Sequence, residues 1–288
     1  RMDLAEVFWR QGKYGDVPPL FKDPKYPPAP RDWADTIAPD FFDVFARSSS
    51  DEVQKAFAPI REAGFNPWFL LEFSAPFAKA GRSDVAFEML ISVNRKTPGI
   101  GLLDPNLSLY RYRKAWKGDQ EALTWVREIV TPATVAAVMR AAFEQRLFEL
   151  LWGFDPPAEA RATAEAWFLR AAAAAIDPEG AKSHRAELES HFRSAGKEPK
   201  VEYARYLLGL SDEAALFRIA ADPMHRGEVA YAFGVKAVGE GRYPDASDWF
   251  RVCLEVPPAH SADSAKTILM RWVTKGKSLE VLRRERFF

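Results

Sequence analysis

Four histidines and one cysteine are the residues of this 288-residue chain with the most chemistry to offer. His184 and His191 lie seven apart with Glu187 between them, so on a helix they share a face two turns apart. A tight helical metal pair needs a spacing of four, which is missing, and the stretch reads as a polar helix face. His225 precedes an expected helix and His260 follows one, so both read as loop residues. Cys253 stands alone, which excludes an intrachain disulfide. It falls on the apolar face of an expected helix and reads as a small hydrophobe rather than a nucleophile. The carboxylates Glu144, Glu149, Glu159 and Glu165 are spread over separate positions and suggest no acid–base couple. Gly99 and Gly101 follow no strand, so they form a turn, and no phosphate loop, dinucleotide pattern or nucleophile elbow occurs. The sequence nominates no catalytic, cofactor-binding or metal-binding residue, and no cofactor.

Composition narrows the classes further. Hydrophobic residues make up 48% and aromatics 13%, enough for a sizeable core. Acidic and basic residues balance at 40 each, so no global field draws the chain to nucleic acid or an anionic membrane. Seven basic residues against two acidic ones between Lys266 and Arg286 read as a solvated cap. No apolar run is long enough to span a membrane. The expected location is cytoplasmic, with a removed export signal left open.

The elements that must carry these residues are helices. Strand patterns are nearly absent. Residues 3 to 14 suggest a short helix, and six prolines between Pro18 and Pro30 then enforce an extended segment. Two helices follow between 34 and 63, the second capped by Asp51. A pair is expected over 67–94, turning at Gly81, and another over 105–130, turning at Gly118. One long helix is expected over 134–152. An alanine-rich helix ends before Pro178, packed through Trp167, Phe168 and its alanines. The polar helix over 182–195 is anchored by Leu188 and Phe192, and a short hairpin spans 201–221. Helices over 262–273 and 278–284 close the chain. The segments group as 1–33, an N-terminal helix and proline-rich stretch; 34–200, degenerate hairpins; and 201–288, the best-formed hairpins and a cap.

The best of these hairpins is Tyr231–Pro258. Ala230, Phe233, Gly234 and Ala237 form one helix face, Gly241 ends that helix, and Pro244 opens the next. Ala246, Trp249, Phe250, Cys253 and Leu254 form the facing stripe, which Pro257 and Pro258 stop. Counted from Gly227, Gly234, Tyr243, Ala246, Phe250 and Pro258 fall where the tetratricopeptide repeat has small, aromatic, small, large and proline residues, and the unit resembles that family. It departs from the pattern at Ala230, Ala237 and Cys253. The intervals Gly241, Ala246, Phe250 recur at Gly81, Ala86, Leu90. The resemblance implies an all-α fold, an irregular α-solenoid of antiparallel hairpins.

Such a fold implies a non-catalytic interaction scaffold with a concave surface for a peptide or partner protein. The family's carboxylate clamp is not matched, because Tyr231 and Val235 occupy its groove positions. Those two residues with Val238 and Arg242, and Phe69, Phe73, Tyr110 and Arg113, are the candidate partner-binding residues, suited to a hydrophobic peptide or helix. The alternatives are a helical-repeat hydrolase or transferase with a site assembled from distant residues, and a self-assembling structural subunit. The partner expected is a protein or peptide, not nucleic acid, and a homo-oligomer is compatible with the sequence.

Overall fold

The computed structural model describes residues 7–8, 11–13, 16, 31–62, 67–94, 103–130, 134–154, 160–256 and the single positions 265, 268 and 273. The side chains of 31–37, 62, 67–69, 92–94, 103–106 and 160–162 fall outside the description. The fold is all-α: the described residues hold fourteen named α-helices and no strand. The chain divides into two compact units, Arg1–Ile129 and Val130–Phe288.

Unit 1 holds α1 (Arg31–Phe45), α2 (Ser50–Glu62), α3 (Pro67–Lys79), α4 (Ser83–Asn94), α5 (Leu103–Lys117) and α6 (Asp119–Ile129). Proline interrupts the interiors of α1, α2 and α3 at Pro39, Pro59 and Pro76, yet the helices run through. A proline's missing N–H and ring clash cost about 3 kcal/mol, so packing must supply the difference. It comes from a phenylalanine core. Phe41 lies 5.7 Å from Phe73 and 6.1 Å from Phe57 and Phe77, in edge-on contacts, and all four rings are wholly buried. Helix α2 is capped by Ser49, not Asp51. The Ser49 N–H donates to Glu52 Oε2 at 2.8 Å, and the Glu52 N–H donates back to Ser49 Oγ at 3.3 Å. These contacts hold the Glu52 carboxyl below its usual range.

Unit 2 holds α7 (Val135–Glu144), α8 (Phe148–Gly153), α9 (Ala160–Ile176), α10 (Arg185–Ser194), α11 (Pro199–Leu207), α12 (Glu213–Ala220), α13 (Arg226–Gly239) and α14 (Tyr243–Glu255). The long helix expected over 134–152 is two helices. Arg146 adopts φ 58°, the left-handed region, and ends α7 in the turn usually made by glycine. Leu147 N–H reaches Ala142 O at 2.9 Å and Arg146 N–H reaches Phe143 O at 3.0 Å. The same pair of bonds closes α3 at Gly81, α11 at Gly209 and α13 at Gly241. The apolar periodicity of 134–152 runs on across this break, which is why it reads as one helix.

Helix α9 is the centre of unit 2. It packs against α7, α8, α10, α11 and α13. Ala171, Ala172, Ala173 and Ala174 are all buried. A stretch apolar on every side, as 171–174 is, belongs inside a fold, and the small side chains let neighbours approach closely. At Gly239 an added Cβ would stand 2.0 Å from the carbonyl oxygen of Ala175. Because α9 docks on α11 and α13, residues from 134 to 200 belong with the C-terminal hairpins, and the unit boundary cuts through the stretch grouped above as 34–200. The hairpin α13–α14 pairs closely, and Gly234 would carry its Cβ 2.6 Å from a ring carbon of Phe250.

Cationic side chains tie neighbouring helices together through their C-terminal carbonyls. Arg170 on α9 is buried; its Nε donates to Leu151 O at 2.9 Å, and its guanidinium also bonds Phe154 O at the end of α8. Arg205 donates to Phe192 O and Ala195 O, both at 2.9 Å, closing α10. Arg185 and Lys236 both reach the end of α11, and Arg82 bonds Ser48 O beyond α1 at 2.6 Å. Each satisfies orphan carbonyls and opposes the negative end of a helix dipole. The proline-rich segment, the turn at Gly99 and Gly101, the basic stretch after Lys266 (apart from the single positions 268 and 273), Glu159, His260 and most of the terminal helices lie outside the described residues.

Candidate functional site

Most of the groove residues anticipated from the sequence are core. Tyr231, Val235 and Val238 on α13 are buried, Val235 completely. The groove they were to line is filled: α9 lies against α13, with the Phe168 and Tyr231 rings 6.2 Å apart. Full burial, with carboxylates including Glu144 and Glu228 nearby, holds the Tyr231 phenol well above its usual pKa. Phe73 and Tyr110 are likewise buried in unit 1. Arg113 is half-buried over Phe87 (5.2 Å) and Trp125 (5.9 Å), and donates to Glu121 Oε1 at 3.1 Å. Arg242 is exposed, but Glu240 and Asp245 hold its guanidinium. The side chain of Phe69 lies outside the described residues.

His184 and His191 are packing residues. His184 stacks on Trp152 at 4.7 Å, and His191 on Trp167 at 3.9 Å, each ring nearly parallel to its tryptophan. The two stacks fasten α10 to α8 and α9. Burial lowers the pKa of His191 from 6.5, against the raising effect of Glu187 and with a smaller lowering effect from Arg170. Cys253 is buried, and desolvation pushes its thiol up to about 12, so the thiolate is scarce at neutral pH. Among the described residues, no group of three or more His, Cys, Asp or Glu could hold a metal ion. No described helix is long and apolar enough to cross a membrane.

What the fold leaves open is the outer side of α12. Asp212 caps this helix, its Oδ1 accepting from Ala215 N–H at 2.9 Å. Leu216 faces inward and is wholly buried. Ala214, Phe217 and Ala221 recur at three and four residues and are all exposed. Phe217 is 54% exposed, and Met224 in the next turn is 59% exposed. Val44 and Tyr243 are exposed to a similar degree elsewhere, but Phe217 and Met224 lie within seven residues of each other. Phe217 does not float. Its ring rests 5.3 Å from Phe233, which also meets Tyr206 edge-on at 5.2 Å and Trp249 at 4.7 Å. Phe233 is buried, so a rigid aromatic base underlies the exposed ring. At the Tyr206 end, the hydroxyl donates to Glu213 Oε1 at 3.5 Å, and burial with Glu213 and Glu240 pushes this phenol up to about 12.

Sequence reasoning missed Phe217 and Met224. Their spacing was visible, but apolar residues at three and four are the mark of a buried stripe, and α12 carries one on its other side. Exposure is decided by which side finds neighbours. Compared with protein families, curated proteins and solved structures, the chain matches none.

Proposed function

We propose that this chain is a non-catalytic protein–protein interaction scaffold of tetratricopeptide-like hairpins in an irregular α-solenoid, and that it engages a partner through the outer face of α12. The observation that carries this reading is Phe217, more than half exposed on the buried ring of Phe233, which in turn packs on the half-buried Trp249. A flexible surface phenylalanine would be ordinary; one pre-ordered on packed rings is a ready anchor, because little entropy is lost when a partner covers it. The hairpin reading draws support from the shared turns at Gly209 and Gly241, roughly one 34-residue repeat apart. It also draws support from Gly234 seated against Phe250.

Among the described residues, no convergence of titratable groups favours an enzyme instead. The shallow depression bounded by Ala186, Glu189, Ser190 and Arg193 has its carboxylate already bridged by Arg185 and Arg193. The test is affinity capture from the source organism with the wild-type chain and Phe217→Asp. A scaffold using this face loses a specific partner in the variant, while circular dichroism remains that of the folded protein. Identical capture by both proteins rules this face out.

A further inference from the structure

We infer that the α12 face takes a basic amphipathic helix, an inference that rests on the scaffold reading and adds the chemistry of the partner. Shape is the first argument. Ala214 and Ala221 flank Phe217 one helical turn to either side, leaving shallow seats beside a protruding ring. Side chains spaced at three and four on an opposing helix enter such seats, as ridges enter grooves. No described residue forms a strand, so no described sheet edge offers the alternative of strand pairing.

Charge is the second argument. Exposed carboxylates stand at both ends of the strip, Asp212 and Glu213 before it and Asp222 after it. Glu240 and Asp245 add two more at the Tyr206 end, where Arg242 is held between them. Arg218 is the exposed cation on α12 itself, and Arg226 donates to Ala220 O at 3.1 Å. Five carboxylates face four cationic groups around the strip, Arg218, Arg226, Arg242 and Lys236, which lies 4.0 Å from Glu240, and an apolar anchor ringed by net negative charge favours a cationic partner. The same charge disfavours a second copy of this face, which would set acid against acid, and it repels nucleic acid and anionic lipid. Arg218 gives the register, by favouring an acidic residue opposite it in an otherwise basic helix.

Three labelled synthetic peptides of about four helical turns test this by fluorescence anisotropy against the whole chain. One carries leucines at helical spacing with lysines opposite. A second replaces the lysines by glutamates. A third scrambles the first, keeping its charge without its apolar face. The basic helix is expected to bind at least ~10-fold tighter than either of the others, and to weaken as salt rises. Phe217→Ala and, separately, Ala221→Lys are each expected to weaken it by about tenfold or more, with circular dichroism confirming that each variant keeps the helical fold. Equal or tighter binding of the acidic helix overturns the inference. So does equal binding of the scrambled peptide, which reduces the effect to bulk charge attraction. If no peptide binds but Phe217→Asp still loses its captured partner, the basic-helix inference fails and the scaffold reading stands. If capture is indifferent to Phe217, the scaffold reading of this face fails as well.

Discussion

His191 illustrates how a residue with chemical potential becomes structural. Its ring is committed to Trp167 at 3.9 Å, with Glu187 on its own helix and Arg170 on α9 as its charged neighbours. Desolvation lowers its pKa from 6.5, opposed by Glu187 and aided to a smaller extent by Arg170. The unfolded chain therefore binds the proton more readily than the folded one. This group's stabilising contribution is complete above the unfolded value and is lost as pH falls through it toward the folded value. Thermal unfolding followed from about pH 7.5 down to about pH 5 should show a falling midpoint, with a smaller fall in His191→Phe. An unchanged slope in the variant would exclude His191 as a source of the pH dependence. Four histidines and a cysteine are visible in any reading of the sequence. That two histidines stack on Trp152 and Trp167 is not, because those tryptophans come from other helices.

At the scale of elements, close approach and helix stops carry the fold. Gly234 and Gly239 lie on one helix but meet different obstacles. A Cβ at Gly234 would press a ring of Phe250, while one at Gly239 would press the Ala175 backbone. Gly239→Ala should therefore destabilise more than Gly234→Ala, each within about 1–3 kcal/mol after overpacking. Denaturant unfolding ranks the two, and the reverse order contradicts the geometry. Arg146 gives a second comparison. In the left-handed region glycine is unstrained and a β-branched residue is worst, so Arg146→Val should be less stable than Arg146→Gly by about 1–2 kcal/mol. Equal stability of the two would mean that this turn relaxes. The glycine turns at Gly81, Gly118 and Gly241 were legible because glycine marks positive φ. The turn at Arg146 was not, since arginine carries no such mark and the apolar stripe continues past it.

For the molecule as a whole, each unit has its own core. Phenylalanines fill unit 1, and α9 fills unit 2. Residues 130–288 produced alone should give a helical spectrum and a cooperative thermal transition, because the helices around α9 find their partners inside that unit. A non-cooperative melt would show that the division into units does not extend to folding. The all-helical class, the places of most helices and the hairpin α13–α14 were determined by the sequence, through periodicity of apolar residues and the local chemistry of glycine and proline. Which apolar faces are buried was decided only by tertiary structure. Tyr231, Val235 and Val238 are buried in the core of unit 2, Tyr231 against Phe168 of α9, while Phe217, spaced just as a core residue would be, stays in the open. Periodicity records that a helix has an apolar face. Whether another helix covers that face depends on contacts between residues far apart in the chain, which local spacing does not encode.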